Sequence, residues 1–282
     1  MLLLVPSDPL RPRRPDPHFA AEAAAAPELG FDVAVVDHDA LTRPDGAAEA
    51  VRRVPGGATA IYRGWMLRPE RYAAFAAALA DRDVALRTTP AAYRAAHELP
   101  GWYGAFRAHT PESVWTQSAS LDELAALAAG LGRGAAVLRD HVKSAKHDWQ
   151  GAAFIPDVTD EAAVRRVATR FLELRGEDLA GGLVLRRFEP FTGAEARTWW
   201  VDGACALVTA HPDTPGAVPE ARPGAFAGAV RALGARFVTV DLALRADGVW
   251  RVVEAGDGQV SDRPGSTAPA ELLRALSPAL SP

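Results

Sequence analysis

Apolar runs of strand length alternate with amphipathic segments along the first hundred residues. The runs that predict strands lie at 2–5, 31–38, 58–64 and 84–87. The segments with helical spacing lie at 18–28, 68–80 and 90–97. Strands that alternate with helices form parallel sheets with right-handed crossovers, so this part predicts a doubly wound α/β domain. RPRRPDP (11–17) predicts a proline-rich loop, and HELPGWYGAF (97–106), without clear periodicity, predicts a linker.

From residue 118 onward the pattern changes to longer strands and fewer helices. A helix is predicted over 120–130, where Ser120 and Glu123 form a capping signature, and another over 161–175. Two hairpins are predicted, one turning at Asp202–Gly203 and one at Asp247–Gly248. This half is therefore predicted to be α+β with mostly antiparallel strands. We expect a domain boundary between residues 106 and 107.

The bulk composition is that of a soluble globular protein. Of 282 residues, 49% are hydrophobic and 23% charged, which is enough apolar material for two domains. The net charge of −4 argues against nucleic acid or an anionic membrane as the main partner. Cys205 is the single cysteine, so no internal disulfide can form, and no stretch reaches the roughly 20 apolar residues of a membrane span. We expect a cytoplasmic protein.

The two lysines of the chain fall within one short segment. Lys143 and Lys146 occur in VLRDHVKSAKHDW (137–149), while the other twenty-nine basic residues are arginines. Lysine is not interchangeable with arginine where a compact, mobile ammonium meets phosphate oxygens as a point charge. This clustering predicts a phosphate-binding loop. The alternative is chance retention of two lysines on a solvated loop.

Two acidic residues lie in the strands of the last predicted hairpin. Asp241 falls within VTVDLAL, and Glu254 ends the apolar run of the partner strand, with Asp257 three residues later. A tight turn at 247–248 makes Asp241 and Glu254 cross-strand neighbours, and buried carboxylates are costly unless paired or bound to metal. This spacing predicts a Mg²⁺ site, because a hard divalent ion removes the repulsion between carboxylates. The alternative is that Asp241 caps a bulge while Glu254 pairs with an arginine.

The motif YRGW follows the third strand of the N-terminal domain. In parallel α/β sheets, ligands bind beyond the carboxyl ends of the strands. Arg63 and Trp65 are therefore candidate contacts for a small-molecule substrate. The alternative is that Tyr62 and Trp65 are packing aromatics and Arg63 a surface charge.

Four segments of the chain resemble the ATP-grasp superfamily, in detail its clade named for one arginine and two lysines. The segments are VLRDHVKSAKHDW (137–149), GGLVLRRFEPF (181–191), EARTWWVDG (195–203), and VTVDLAL with WRVVEAGDGQVS (238–244 and 250–261). The resemblance covers the whole chain. It implies an N-terminal α/β pre-ATP-grasp domain at residues 1–106, followed by a two-lobed α+β ATP-grasp domain at residues 107–282 that binds ATP and Mg²⁺ between its lobes.

The resemblance also implies roles for residues on the nucleotide side. Arg139 stands where the family usually has the lysine that contacts the α-phosphate, and Lys143 and Lys146 would hold phosphates from the loop. The hinge that contacts adenine would consist of Arg187, Phe188 and Glu189.

Further implied roles concern the reacting groups. Glu195 and Arg197 match the family's E-x-R strand, where Arg197 would steady the transferring phosphoryl group or an acyl phosphate. Asp241, Glu254 and Asp257 match the metal carboxylates, although the last position is frequently Asn.

The activity implied by the resemblance is ATP-dependent joining of a carboxylate to an amine through an acyl phosphate. Positioning and charge neutralisation account for most of the catalysis in phosphoryl transfer, which agrees with a site rich in cations and carboxylates. We expect small-molecule carboxylate and amine substrates, or a peptide substrate, with a homodimer as an option and neither nucleic acid nor membrane as a partner. The alternatives are a non-catalytic nucleotide-binding module and a small-molecule kinase of the same fold.

Overall fold

Parallel strands form the N-terminal sheet of the computed structural model, which describes residues 1–277. Strand β1 (Leu2–Asp8) pairs in parallel with β3 (Asp32–Val36) on one side and with β4 (Ala58–Tyr62) on the other. Strand β4 pairs in parallel with β5 (Val84–Leu86). The alternating pattern of the sequence therefore predicted this sheet correctly.

A short antiparallel strand, β2 (Arg11–Pro15), follows β1 directly. The prediction of a loop over this proline-rich segment was wrong. Pro12 and Pro15 lack the N–H that a central strand would need, but an edge strand tolerates them, and β2 pairs with the end of β1 alone through Ser7 and Pro15.

Helices cover both faces of this sheet. They are α1 (Ala20–Ala25), α2 (His38–Thr42), α3 (Ala47–Ala50), α4 (Pro69–Ala80) and α5 (Pro90–His97). Tyr62, Tyr72 and Phe75 lie in the core on the face that α2 to α4 cover. Helix α1 is shorter than predicted, because Pro27 begins a separate 3-10 turn.

Residues 97–106 do not form a linker, and that prediction was wrong. They contain helix α6 (Leu99–Phe106), in which Pro100 occupies the first turn, where proline is tolerated because that N–H has no helical partner. Its buried residues recur at intervals of three and one: Leu99, Trp102, Tyr103 and Phe106. This spacing is helical, but Pro100 and the two glycines of the segment are unfavourable in helices, so the sequence did not predict one.

A second, antiparallel sheet has the strand order β6-β9-β7-β8. The strands are β6 (Ser113–Trp115), β7 (Ala136–Asp140), β8 (Phe154–Ile155) and β9 (Leu183–Arg187). Helices α7 (Leu121–Leu131) and α8 (Glu161–Arg175) pack on it around Phe171. Ser120 caps α7, since its Oγ accepts from the Glu123 N–H, and Asp160 caps α8 in the same way. Both helices begin where the sequence predicted.

A third sheet has the order β11-β10-β12-β13. Its strands are β10 (Phe191–Val201), β11 (Ala204–Ala210), β12 (Phe237–Arg245) and β13 (Trp250–Asp257); helix α9 (Ala227–Leu233) precedes β12, and α10 (Pro269–Leu276) follows β13. Strands β10 and β11 form the hairpin predicted at Asp202–Gly203, where both residues have positive φ. Strands β12 and β13 lie side by side and are joined through Gly248, whose φ is +83°. Both turn positions were predicted correctly.

The chain forms two compact units that are discontinuous in sequence. The first contains residues 1–96, 194–242 and 254–282, of which 278–282 lie outside the described residues, and the second contains 97–193 and 243–253. The chain passes from one unit to the other at the end of α5 and within β10, β12 and β13. The sequence predicted a domain boundary between residues 106 and 107. That boundary concerns functional domains, not these compact units, and it stays a prediction.

The first unit has a core that joins residues from the two ends of the chain. Phe19 and Ile61 pack there with Trp199, Phe237 and Leu272. The fold class is a mixture of parallel α/β and antiparallel α+β structure, as predicted. Among residues 1–277, no helix combines the length and apolarity needed to span a bilayer.

Candidate functional site

Arg197 and Asp241 form a bidentate ion pair between β10 and β12 in the first unit. Nε of Arg197 lies 2.9 Å from Oδ1 of Asp241, and Nη2 lies 2.8 Å from Oδ2. Burial raises the pKa of the Asp241 carboxyl, but the neighbouring guanidinium outweighs it and lowers the pKa to about 2. The carboxylate is therefore ionised throughout the neutral range. The carboxylate that was predicted to bind metal is paired with an arginine, whereas the alternative interpretation had assigned the arginine partner to Glu254.

His211, at the end of β11, joins this pair. Its Nδ1 accepts a hydrogen bond from the Asp213 N–H at 3.1 Å, and its Nε2 faces Oδ2 of Asp241 at 3.5 Å. Burial lowers the pKa of His211, but Asp241 outweighs it and raises the pKa above its usual value. Nη2 of Arg197 also lies 3.2 Å from Nε2. The imidazole thus stands between a carboxylate and a guanidinium.

Glu195 completes a set of donor atoms around Asp241. One ligand atom from each of Glu195, His211 and Asp241 lies within 4.8 Å of the others. Two carboxylates and an imidazole are suitable ligands for a divalent cation: the carboxylates suit Mg²⁺ or Mn²⁺, and the imidazole suits later transition metals. Glu254 acts electrostatically on Arg197 in the same unit and helps to raise the pKa of that guanidinium. The donor set fits a divalent cation, whereas the positive charge of Arg197 opposes one.

Asp257 has a different environment from the other predicted metal ligands. Its side chain is fully buried, and its Oδ1 accepts the Gln259 N–H at 2.8 Å. Oδ2 has no hydrogen-bond partner within the described part of the chain. Burial raises the pKa of this carboxyl to about 7. Because a bound cation would favour the ionised carboxylate, the buried Oδ2 keeps Asp257 a candidate metal ligand.

Arg63 is buried, with 1% of its surface exposed, although the sequence predicted an accessible substrate contact. Its Nε and Nη2 donate to the Glu22 carboxylate at 2.8 and 3.0 Å. Its Nη1 donates to the carbonyls of Gly258 and Ser261 at 2.6 and 2.9 Å. The side chain therefore holds the segment that follows β13. Its enclosure differs from the prediction because Glu22, distant in sequence, supplies a buried countercharge.

Trp65 remains half-open at the end of β4, as a candidate substrate contact should be. Its exposed fraction is 37%, and its Nε1 donates to Oδ2 of Asp16 at 3.3 Å. Its ring centroid lies 4.6 Å from that of His18. Of the two residues predicted to contact substrate, Trp65 is the accessible one.

In the second unit, Asp140 fixes the backbone of the lysine loop. The carboxylate is fully buried, and its Oδ1 accepts the N–H groups of Val142 and Lys143 at 2.7 and 2.5 Å. Its Oδ2 accepts from Nε of Arg175 at 3.0 Å and from the Ala180 N–H at 3.2 Å. The turn is thus determined by one side chain, which the sequence pattern did not single out.

The cations of the lysine loop differ in exposure. Arg139 is buried, and its Nε donates to the Asp140 carbonyl at 3.3 Å, so it stays close to its own backbone. Lys143 and Lys146 are exposed, and Lys146 begins a 3-10 turn that ends at Asp148. A fixed backbone with exposed ammonium groups suits anion binding.

The three predicted hinge residues have distinct partners. Nη2 of Arg187 donates to the Gly132 carbonyl at 2.9 Å, and Glu189 forms a bidentate ion pair with Arg251, both distances being 2.8 Å. Phe188 is 40% exposed, and its ring packs edge-on against Phe154 at 5.3 Å. Phe188 therefore offers the open apolar surface, while its two neighbours hold the hinge in place.

His211 is the clearest residue of the site that sequence reasoning missed. It is adjacent to Glu195 across the β10–β11 hairpin, where its N–H donates to the Glu195 carbonyl at 3.2 Å. Counting outward from the Asp202–Gly203 turn places residue 211 opposite residue 194, next to the E-x-R segment, and a bulge at Trp199 shifts it to Glu195. The sequence does not reveal that bulge, and histidines at loop starts are common.

Comparisons with known proteins identify the family and the fold. The family model for the ATP-grasp domain, family 3 of the clade named for one arginine and two lysines, matches residues 128–276, which is more than half of the chain. That range includes both lysines, Arg197, Asp241 and Glu254. A comparison with curated proteins found no significant match.

Several solved structures share the fold at low sequence identity. A RimK domain protein ATP-grasp from Sphaerobacter thermophilus is 18% identical, with a TM-score of 0.64 and 98% of each chain covered. D-cycloserine synthetase DcsG is 16% identical, with a TM-score of 0.63 and full coverage of both chains. ATP-grasp ligase PsnB, complexed with a minimal precursor, Mg and ADP, is 16% identical, with a TM-score of 0.57 and coverage of 98% of this chain and 96% of that one.

Proposed function

The chain belongs to the ATP-grasp superfamily, in its clade named for one arginine and two lysines, and on that premise we propose that it is an ATP-dependent ligase that joins a carboxylate to an amine. The observation that carries the proposal is the largely buried Arg197–Asp241 pair beside Glu195 and His211. Charged groups of both signs are costly to bury in a sheet, and they are expected where a site must stabilise phosphoryl transfer. The solved structures of similar fold include ligases that act on small molecules or precursor peptides, which supports the same class.

In the first step, an oxygen of the substrate carboxylate attacks the γ-phosphorus of ATP. The bond from that phosphorus to the bridging oxygen breaks, ADP leaves with the electron pair, and an acyl phosphate forms. Lys143, Lys146 and Arg139 neutralise the phosphates, with Phe188 against the adenine and Arg187 and Glu189 holding the hinge. Arg197 stabilises the transferred phosphoryl group. An amine then attacks the acyl carbon and displaces phosphate.

Asp241 and Glu254, with Glu195 and His211 nearby, would hold the divalent cation. When bound, Mg²⁺ supplies charge neutralisation to the phosphate oxygens. The ionised Asp241 suits this role, since its low pKa keeps it deprotonated. Asp257 would be a further ligand, since a bound cation favours the ionised form of its buried carboxyl.

Trapping of the acyl phosphate tests the proposal. The purified protein is incubated with Mg-ATP and a panel of amino acids, hydroxy acids and short peptides, and ADP and hydroxamate are measured with added hydroxylamine. We expect carboxylate-dependent ADP release together with hydroxamate. A Glu254→Gln variant serves as the inactive control.

Two other outcomes would contradict the proposal. Release of ADP with accumulation of a stable phosphorylated product and no hydroxamate identifies a small-molecule kinase. Nucleotide binding without any ADP release across the panel identifies a non-catalytic module.

A further inference from the structure

A cluster of polar and aromatic side chains lies beyond the carboxyl ends of β1 and β4 in the first unit. The His18 ring lies against Trp65, with centroids 4.6 Å apart, and Nε2 of His18 lies 2.8 Å from Oδ1 of Asp262. Nε1 of Trp65 donates to Oδ2 of Asp16 at 3.3 Å. We call these four residues, His18, Trp65, Asp16 and Asp262, the His18 cluster. It combines two carboxylates, an imidazole and an indole face.

The His18 cluster is connected to the site by one residue. The backbone carbonyl of Asp262 accepts a hydrogen bond from Nη1 of Arg197 at 3.0 Å, while its carboxylate contacts His18. Arg197 is also the partner of Asp241. Direct contacts therefore run from Trp65 through His18 and Asp262 to the guanidinium that is assigned to the phosphoryl group.

We propose that the His18 cluster is the subsite for the nucleophile, a primary amine that arrives as an ammonium ion, and that His18 takes its first proton. This inference rests on the proposed ligase function and assigns residues to its second substrate. Carboxylates and an indole face attract an alkylammonium ion through charge and cation–π interactions. Asp16, Asp262 and Trp65 supply those groups.

The hydrogen bond between His18 and Asp262 determines which nitrogen can accept a proton. An ionised carboxylate accepts hydrogen bonds, so Nε2 of His18 carries the ring proton and Nδ1 carries the lone pair. The Asp262 carboxylate also stabilises the imidazolium that forms when Nδ1 is protonated. The Asp262 carboxylate thus orients His18 so that Nδ1 can act as the base.

In the second step, His18 and the leaving phosphate together accept the two protons that the ammonium nitrogen loses. The ammonium ion gives one proton to Nδ1 of His18, and the electron pair of the neutral amine forms the C–N bond to the acyl carbon. The C–O bond to phosphate breaks, and its electron pair leaves with the phosphate. That phosphate takes the second proton from nitrogen, so the products are an amide and hydrogen phosphate. His18 then returns its proton to solvent.

The His18 cluster is exposed to solvent, so a catalytic role for its residues can be distinguished from a role in stability. The side chains of His18 and Asp262 are 44% and 50% exposed. Ion pairs at such exposed positions contribute little to stability, because water screens them. Substitutions here should therefore leave the melting temperature nearly unchanged, so an effect on activity cannot be attributed to unfolding.

The test compares two nucleophiles with one carboxylate. His18→Gln, Asp262→Asn and the wild type are assayed with ethylamine, which is cationic at pH 7.5, and with hydroxylamine, which is not. We expect His18→Gln to lower kcat/KM for ethylamine at least about tenfold while changing hydroxamate formation less than about twofold. His109→Gln and Asp45→Asn, outside the His18 cluster, are the matched controls and should behave as the wild type does. Equal rates of amide formation in wild type and His18→Gln overturn the proposal, as does a wild type that ethylamine does not stimulate.

A binding measurement supplies a readout that needs no turnover. Ligand-observed NMR with benzylamine should detect binding to the wild type and at least about fivefold weaker binding to Asp262→Asn and Trp65→Ala, each losing a group that attracts the cation. Equal binding to all three proteins overturns the subsite. If no carboxylate yields hydroxamate with the wild type, the ligase function itself fails, and this binding experiment still decides whether the His18 cluster takes an ammonium ion.

Discussion

The guanidinium of Arg63 and the carboxylate of Glu22 form a bidentate ion pair that is almost wholly enclosed. The exposed fractions of the two side chains are 1% and 4%. Burial raises the pKa of Glu22, but Arg63 and Arg263 outweigh this and lower it. The Arg63 plane also lies near the Trp199 ring, with Cζ 5.6 Å from the ring centroid. One arginine thus joins α1, β10 and the segment after β13.

Removing Arg63 alone should destabilise the protein strongly. Arg63→Ala leaves the Glu22 carboxylate buried without its main partner, so we expect a loss of about 3–5 kcal/mol in the free energy of unfolding, measured by urea denaturation. The double variant Arg63→Met/Glu22→Leu should lose less, since it removes the buried pair as a unit and only Arg263 loses a carboxylate partner. A cost below about 1 kcal/mol for Arg63→Ala would show that the pair does not stabilise the fold.

Lys143→Arg tests whether the lysine loop needs an ammonium group. The substitution keeps the charge but replaces a compact cation with a planar fork, and we expect kcat/KM for ATP to fall at least tenfold, which corresponds to about 1.4 kcal/mol. Arg166→Lys on the exposed face of α8 is the matched control and should have no effect. Full turnover by Lys143→Arg would mean that any cation serves at this position.

Glu254→Gln tests the metal assignment more cleanly than a change at Asp241. Asp241→Asn would leave Arg197 buried without its carboxylate and would therefore destabilise the folded state. Glu254→Gln removes one negative ligand at nearly constant volume, so we expect most ATP turnover to be lost and Mn²⁺-nucleotide affinity to fall. Calorimetric titration measures the affinity, and thermal unfolding in EDTA should change little. A large drop in melting temperature in EDTA, with nucleotide stabilisation intact, would assign Glu254 to an ion pair instead.

The raised pKa of Asp257 predicts that its contribution to stability falls as pH rises. Its folded pKa of about 7 lies above the unfolded value of 3.8, so between these values the native state holds the extra proton. Each unit of pKa difference corresponds to about 1.4 kcal/mol, so the contribution of this group should be largely lost by pH 8. Asp257→Asn removes the titration, and the difference in unfolding free energy between pH 5 and pH 8 should shrink. Asp45→Asn is the control, and an unchanged pH profile in Asp257→Asn would show that Asp257 titrates normally.

Local signals predicted much of the fold. Asp202–Gly203 and Asp247–Gly248 carry the turn chemistry of hairpins, and Ser120 with Glu123 carries that of a helix start. Each of these depends on residues close together in the chain. The lysine loop was found by composition alone, although the carboxylate that shapes it, Asp140, was not.

What the sequence did not reveal depends on distant partners. Arg63 was expected to be accessible, but its burial depends on Glu22, 41 residues earlier. The pairing of Arg197 with Asp241 joins positions 44 residues apart, so no local pattern predicts that this carboxylate is already occupied by a cation. Helix α6 was hidden because Pro100 and Gly101 lower helix propensity while the buried aromatic face of the helix stabilises it.

The discontinuity of the first unit determines when it can be completed during synthesis. Residues 1–96 leave the ribosome first, yet Trp199, Phe237 and Leu272, which pack in the same core, are among residues made much later. At about 5–20 residues per second, the early segment waits roughly 10–40 s for these partners. For that interval one face of its sheet lacks part of its native cover, so the nascent chain presents an apolar surface that chaperones recognise. A gene fragment that encodes residues 1–106 alone would leave that part of the face permanently uncovered.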